Sequence, residues 1–300
     1  ETAMEKISAY FLQYHAAVLF SLVYFAAIAY VGVSLILRRA SLFGLVLSQV
    51  SQVSFLIGLS LAALFHGHEH VYAMINRSGA AGGDWHFLEI DGFVLPITML
   101  LLLPFVFFAA RGSRNKETLL VLALLTALAA YPLVNKAFGG TDVVLAKAYF
   151  TEILYTPPPM FLHYLPFIAL LIALMVLLQR RFMLSGFDPV QARLNGLNPV
   201  LHDALFYLLA GLVLSFAARI LGAYVAMAGL IVPGYVAYAI ARTMQGVHFT
   251  AVLLAIVLPL AGFLCAFRFD NVSTEPFLTV FIIASGGLIL LVRRVAFFWR

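Results

Sequence analysis

Histidines and acids concentrate in one polar segment, residues 66–92, between two apolar runs of the chain. The segment begins HGHEH, so three imidazoles fall within five residues, and a fourth follows among further carboxylates. Imidazole and carboxylate together suit zinc and similar divalent ions, and a short His-rich tract is a recognised metal-binding composition. The spacing is not HExxH, so it does not predict a metalloprotease. We predict weak metal contact, with a solvated polar loop as the alternative, at His66, His68, His70 and His86.

A second polar cluster interrupts the apolar run SLFGLVLSQVSQVSFLIG, residues 41–58. Amide oxygens bind hard cations such as Ca²⁺ tolerably and zinc poorly, and amides and hydroxyls also hydrogen-bond polar solutes. In a membrane helix such groups tend to face a bundle interior or cavity. They also bond to neighbouring helices, at about 0.6 kcal/mol each. Five such groups exceed what packing usually requires, so we predict a strip lining a translocation pathway, formed by Ser48, Gln49, Ser51 and Gln52 with Ser54 beside them.

The elements that position these groups must be membrane helices. Of the 300 residues, 64% are hydrophobic and only 10% are charged, against about 25% charged in soluble domains. About 20 apolar residues cross a bilayer as a helix. We therefore predict an all-α fold, a polytopic transmembrane helical bundle forming one domain over 1–300. It has about nine spans, at 9–37, 42–65, 93–110, 118–135, 160–179, 200–218, 227–241, 249–267 and 276–292.

The basic residues give the predicted orientation. Membrane proteins keep Lys and Arg on the cytoplasmic side, so the net charge of +5 indicates topology and not nucleic-acid binding. With nine spans the connections alternate, and most Lys and Arg fall on one side, which predicts an outside N-terminus and a cytoplasmic C-terminus. That side holds Arg38, Arg39, Arg111, Arg114, Lys116, Arg180, Arg181, Arg193, Arg242, Arg293, Arg294 and Arg300.

The sequence lacks the motifs of several classes of protein. The chain has no P-loop lysine motif, so uphill transport would need a partner or an ion gradient. A self-sufficient secondary transporter is one alternative, but such folds commonly show internal repeats and intramembrane acids, and we find no convincing repeat and no Asp or Glu in the middle of a predicted span. An intramembrane enzyme is weaker still, because HExxH, GxSG and paired carboxylates at membrane depth are all missing from the sequence.

The connection RRFMLSGFDPVQARLNGLNP, residues 180–199, predicts a short helix at the cytoplasmic surface. Asp188 is suited to cap it and Pro189 suits its first turn. Gly196 and Pro199 then end it. Spacing alone favours an ordinary interhelical loop, and a docking element, which the shape of the segment also fits, is the alternative.

Four segments in order resemble the permease subunits of bacterial ABC importers for zinc and manganese. They are YVGVSLILRRASLFG (30–44), FDPVQARLNGLN (187–198), GAYVAMAGLIVPGYVAYAIAR (222–242) and FRFDNVSTEP (267–276). The resemblance spans nearly the whole chain and implies a multi-pass protein of the bacterial inner membrane.

The same resemblance implies a set of partners. ATP would be hydrolysed by separate cytoplasmic ABC ATPase subunits, and a second permease copy or paralogue and an extracytoplasmic substrate-binding protein would complete the importer. Zinc or manganese would pass through transiently, with no intrinsic cofactor. The segment 188–196 corresponds to the family's coupling helix, with Asp188, Pro189, Ala192 and Gly196 matching the pattern.

The polar strip departs from the family. A "GDALSH"-like stretch there places an Asp and a His one turn apart on the pore, but the corresponding residues are Leu45 and Gln49, while Gly44 and Ser48 are kept. Three explanations stay open. A metal could use other positions, a different second permease could supply the ligands, or the cargo could be a chelated metal or a non-metal solute.

The last predicted outer turn carries two acids, Asp270 and Glu275. We expect a solvated turn here, with contact to an incoming binding protein as the alternative.

Overall fold

The computed structural model describes residues 3–38, 40–66, 95–104, 106–107, 116–137, 153–156, 158–268 and 273–298. Every regular element in these residues is helical. The α-helices are α1 (Ala3–Leu37), α2 (Ser41–His66), α3 (Leu95–Pro104), α4 (Lys116–Ala137), α5 (Pro158–Leu177), α6 (Gln179–Phe187), α7 (Pro189–Leu194), α8 (Pro199–Leu221), α9 (Ala223–Ile240), α10 (Met244–Ala266) and α11 (Thr274–Phe298), with a 3₁₀ turn at Ile153–Tyr155.

The polytopic all-α prediction is confirmed. Five helices, α1 and α8 to α11, are long and apolar enough to cross a membrane, and α5 with α6 makes a sixth candidate bent by 60° around Leu178. Shorter apolar helices lie at Leu42–Gly58, Leu95–Pro104 and Leu120–Val134. All nine predicted spans overlap a described helix. The predicted span 227–241 begins later in the sequence than the helix it overlaps, since α9 begins directly after Gly222, at Ala223.

The chain forms two compact units, and the prediction of one membrane domain over 1–300 stays a prediction. The first unit comprises residues 1–41, 149–161 and 217–300. In it α1 and α9 pack backbone to backbone, because Gly32 faces the Leu230 carbonyl and Gly234 faces the Val33 amide. Also in this unit, the Tyr24 hydroxyl of α1 donates a hydrogen bond to the Phe161 carbonyl at 2.7 Å. Small residues permit this close approach between apolar helices.

The second unit comprises residues 42–148 and 162–216. Aromatic pairs join its helices: Phe43 of α2 lies 4.5 Å from Tyr207 of α8, and Phe182 of α6 lies 5.6 Å from Phe206, by ring centroids. Gly211 of α8 lies against Leu47 and Leu102. These contacts hold α2, which carries the polar strip, against α8.

Candidate functional site

The polar strip of α2 is enclosed by protein. Ser48 and Ser54 are fully buried, and Gln49 and Gln52 are 3% and 5% exposed. Two of the hydroxyls bond within their own helix, Ser48 to the Leu45 carbonyl at 3.1 Å and Ser54 to the Val50 carbonyl at 2.7 Å. Such bonds to the preceding turn satisfy a hydroxyl without a second helix. These two serines therefore do not require a cargo to explain them.

The other side of the strip meets α8. The Ser51 hydroxyl donates to the Ser215 carbonyl at 3.5 Å, a long bond, and Ser51 is 1% exposed. Both side-chain atoms of Gln52 and the hydroxyl of Ser215 are buried without a hydrogen-bond partner. Buried polar groups are nearly always bonded, so these three atoms call for an explanation. The role of Ser48, Gln49, Ser51 and Gln52 in a pathway stays a prediction.

Ser215 did not emerge from the sequence as a site residue. It is a lone serine within the apolar run of α8, and nothing in its spacing links it to residues 164 positions earlier. Only the pairing of α2 with α8 brings it to Ser51.

The predicted short helix is present as α7, with the predicted caps. The Asp188 carboxylate accepts from the amides of Val190 at 3.1 Å and Gln191 at 2.9 Å, and Pro189 occupies the first position. At the far end Gly196 has φ 74°, the Gly196 amide donates to the Arg193 carbonyl, and the Leu197 amide donates to the Ala192 carbonyl. This pair of bonds is the Schellman arrangement, which needs a left-handed residue after the helix.

One face of α7 is apolar and exposed. Val190 is 67% exposed and Leu194, four residues later, is 83% exposed. Residues three and four apart share a helix face. Ala192, on the opposite side, is fully buried and anchors the helix. An apolar exposed face beside a buried anchor is typical of a surface that another protein covers.

The helices before and after α7 in the chain, α6 and α8, are joined to each other. The Ser185 hydroxyl of α6, 2% exposed, lies 2.6 Å from an Asp203 carboxylate oxygen of α8 and 3.1 Å from the Pro199 carbonyl. The Phe182–Phe206 ring pair packs at the same junction of α6 with α8. Hydrogen bonds to a charged acceptor are among the stronger ones. These contacts fix α6, which precedes α7 in the chain, against α8, which follows it.

Three of the four predicted metal ligands lie outside the described residues. His68, His70 and His86 lie outside the described residues, and His66 ends α2 without a described side chain. In the part of the chain that the structure describes, no three His, Cys, Asp or Glu side chains come together as a metal site. Metal contact at these four histidines stays a prediction.

The expectation that Glu275 lies in a solvated turn is wrong. Glu275 lies in the first turn of α11, is 4% exposed, and its carboxylate packs against the backbone of Gly222, which has φ 79°. An acid in the first turn of a helix is favoured by the helix dipole. The expectation failed because Gly222, 53 positions earlier, leaves the space that the carboxylate occupies. Asp270 lies outside the described residues.

Together these observations define a class: a polytopic α-helical membrane protein with a buried polar strip and an exposed, capped helix between two apolar segments. The chain belongs to the ABC 3 transport family, which it matches over residues 9–294. This confirms the resemblance carried by the four sequence segments.

Curated relatives match parts of the chain. It is 30% identical over 131 residues to a probable iron transport system membrane protein of Haemophilus influenzae, 43% of each chain. It is 38% identical over 110 residues to the chelated iron transport system membrane protein YfeD of Yersinia pestis, 36% of each chain. It is 27% identical over 191 residues to the manganese transport system membrane protein MntC of Halalkalibacterium halodurans, 63% of this chain and 61% of the relative. The chain thus aligns with less than two thirds of each relative's length.

A solved structure shares the fold. PsaBC from Streptococcus pneumoniae in complex with Fab superposes with a TM-score of 0.71 over 95% of both chains, at 17% identity. This likeness identifies the fold across nearly the whole chain.

Proposed function

We propose that this chain is the permease subunit of an ATP-driven importer that carries a divalent transition-metal ion across the bacterial inner membrane. Family membership supports an ABC transport role. The relatives' names support the cargo, since they are described as iron, chelated iron and manganese transport proteins. Zinc, predicted from the sequence resemblance, belongs with iron and manganese to the divalent first-row metals.

The proposed topology has nine spans, an outside N-terminus and a cytoplasmic C-terminus. Its support is that each predicted span overlaps a helix and that the basic residues collect on one side of the resulting alternation. In this orientation α7 lies at the cytoplasmic surface, and the histidine-rich segment 66–92 faces outside, where it would meet the arriving cargo.

The observation that carries the proposal is the capped, exposed helix α7. In the proposed mechanism its apolar face, formed by Val190 and Leu194, sits in a cleft of the cytoplasmic ATPase subunit. The Asp188 cap and the Gly196 turn close the two ends of the helix, and the Ser185–Asp203 bond joins α6 and α8, the helices before and after it in the chain. Closure of the ATPase subunits on ATP would therefore move α6 and α8 and alternate access to the pathway.

The complex would contain two permease chains, two ATPase subunits and an outer binding protein that delivers the cargo. ATP binding is assigned to the partner because this sequence contains no P-loop motif. A second permease of different sequence is a specific possibility, since Leu45 and Gln49 stand where the family's Asp and His would lie.

A second candidate cargo is a chelated metal or another hydrogen-bonding solute, carried by the same scaffold. It is favoured by Gln52, whose amide is 5% exposed and unbonded at both atoms. A neutral amide binds zinc weakly, but it donates to and accepts from an organic ligand or a hydrated ion.

Uptake of radiolabelled manganese, iron and zinc tests the proposal. Cells that carry the gene, lack it, or carry an ATPase partner disabled in its catalytic residue are compared. We expect accumulation of at least one metal that requires both the gene and ATP hydrolysis. Metal accumulation identical in all three strains would refute the metal cargo, and an intact complex with no metal uptake would favour the second candidate.

The coupling assignment has its own test. In the double variant Val190→Asp/Leu194→Asp, two charges enter the apolar face, so co-purification of the ATPase should fall by at least about tenfold. Val190→Ile/Leu194→Met changes the same two positions but keeps the face apolar, so it is the matched control and should keep the partner. Unchanged co-purification of the ATPase with the double variant would contradict the docking role of α7.

A further inference from the structure

Helix α6 turns away from the membrane span that precedes it. The 20 residues of α5 extend about 30 Å, which matches the thickness of the hydrocarbon core of a bilayer. The nine residues of α6 follow after Leu178 at 60° to α5. With α5 along the membrane normal, α6 advances only about 7 Å in that direction, roughly the depth of one headgroup layer. In the proposed topology this is the level of the cytoplasmic headgroups.

One side of α6 packs on α8. Phe182 and Ser185 are 4% and 2% exposed. The Phe182 ring lies 5.6 Å from the Phe206 ring by centroids, and the Ser185 hydroxyl lies 2.6 Å from an Asp203 carboxylate oxygen. Because α8 is itself a candidate membrane span, the opposite side of α6 is turned away from that span.

The outward side of α6 combines apolar and basic side chains. Arg180, Leu184 and Phe187 are spaced by four and three residues, so they share a face. Phe187 is 55% exposed, and both Arg180 and Arg181 are exposed. Leu177, the last residue of α5, is exposed beside them. This combination is typical of an interfacial helix, whose apolar side chains enter the boundary of the acyl chains while the basic ones stay with the headgroups.

Charge distinguishes this surface from the neighbouring face of α7. That face is formed by the apolar side chains of Val190 and Leu194. In contrast, α6 begins with two adjacent arginines and has no acid in its sequence QRRFMLSGF. A guanidinium pairs with phosphate oxygens at two points. The partner that complements α6 is therefore apolar in one part and anionic in another, as an anionic phospholipid is.

We propose that α6 is an interfacial helix that binds anionic phospholipid of the inner leaflet. Phe187 contacts the acyl chains, and Arg180 and Arg181 pair with the phosphates. The inference rests on the orientation given under the proposed function, in which α6 is cytoplasmic. It goes beyond the general preference of basic residues for that side, because it assigns a class of bound lipid to one helix.

The test of the acyl contact uses the complex of the permease with its ATPase in vesicles. A bimane fluorophore is attached to Phe187→Cys in the Cys265→Ser background. The quenchers are phosphatidylglycerol or phosphatidylcholine with a nitroxide on the acyl chain, and aqueous iodide. We expect strong quenching by the lipids, stronger for phosphatidylglycerol, and weak quenching by iodide. Dominant quenching by iodide would place Phe187 in water, and no quenching by any of the three would show that protein covers it; either result would overturn the inference.

The same fluorophore on Val190→Cys separates this inference from the proposed function. Docking of the ATPase on α7 predicts that iodide quenches this label only when the ATPase is absent. Iodide quenching in the intact complex would contradict the docking role of α7 and leave the lipid contact of α6 standing.

Arg180→Gln/Arg181→Gln tests the headgroup contact. Each arginine near an anionic surface strengthens binding by roughly fivefold, so the double variant should lower the preference for phosphatidylglycerol at the Phe187→Cys label by at least about fivefold. Arg293→Gln/Arg294→Gln is the matched control, because it also neutralises two adjacent, exposed arginines near the end of a candidate span, and it should leave the preference unchanged. An equal loss in both double variants, or no preference in the parent, would overturn the lipid site on α6.

Discussion

At the scale of single residues, the polar groups of α2 separate into two kinds. Ser48 and Ser54 are satisfied by carbonyls of their own helix, so they are compatible with plain packing. Gln52 is enclosed and unbonded at both side-chain atoms. A buried polar group without a partner costs about 1–3 kcal/mol of stability. A residue that destabilises the fold in this way is a candidate for function.

Gln52→Leu should therefore change stability and transport in opposite directions. We expect the free energy of unfolding to rise by about 1–2 kcal/mol, because an unsatisfied amide is replaced by an apolar group of similar size. Uptake should fall by about tenfold if the amide contacts the cargo. Thermal unfolding in detergent and uptake in vesicles measure the two effects.

Ser54→Ala provides the comparison, since its hydroxyl is bonded within the helix, and both properties should stay close to the parent. A Gln52→Leu protein that is less stable and transports normally would assign Gln52 to packing.

A second residue-scale prediction concerns the close contact of α1 with α9. In Gly32→Ala the new Cβ would overlap the Leu230 carbonyl oxygen, a backbone atom that cannot move alone. We expect a loss of about 1–3 kcal/mol, the usual cost of overpacking.

Gly287→Ala is the matched control for that variant. It also replaces a helical glycine, but its Cβ would meet nothing within 4 Å, so it should be neutral or stabilising by up to about 1 kcal/mol. Equal melting temperatures for the two variants would contradict the packing of α1 on α9.

At the scale of elements, two glycines end or separate helices with positive φ. Gly196 closes α7, and a Cβ there would meet nothing within 4 Å. Gly222 separates α8 from α9 at φ 79° and ψ 154°, a region open almost only to glycine, and a Cβ there would lie 2.6 Å from a Glu275 carboxylate oxygen.

The two glycines should therefore differ in their tolerance of alanine. Gly196→Ala should cost about 1 kcal/mol of stability from the left-handed backbone alone. Gly222→Ala should cost roughly 3 kcal/mol, because backbone strain adds to the overlap with Glu275. Thermal unfolding of the two purified variants measures the difference, and an equal loss would contradict the packing of Glu275 on Gly222.

At the scale of the whole molecule, the orientation can be tested with cysteine labelling. Cys265 is the single cysteine and is exposed, so a Cys265→Ser background is free of thiols. Gln191→Cys on α7 should react with a membrane-impermeant maleimide only after the inner membrane is opened, whereas Ser273→Cys before α11 should react in intact spheroplasts. The reverse pattern would invert the proposed topology, and labelling of both from outside would require a different number of spans.

Much of this molecule follows from local sequence. Apolar runs of membrane-crossing length determine helices wherever they occur, since backbone groups in lipid must bond within the segment. The Asp188 and Gly196 caps are equally predictable, because each acts on atoms within a few residues of itself. The ordered motifs were enough to identify the family.

Other properties depend on which helices meet, and that choice belongs to the tertiary structure. Ser215 joins Ser51 only because α2 packs on α8, and Glu275 is buried only because Gly222 leaves room for it. Likewise, the rings of Tyr30 on α1 and His248 on α10 lie 5.0 Å apart by centroids, although the two residues are 218 positions apart in the chain. Hydrophobic length and capping are set within one helix, whereas the pairing of polar atoms depends on interhelical packing that no single segment encodes.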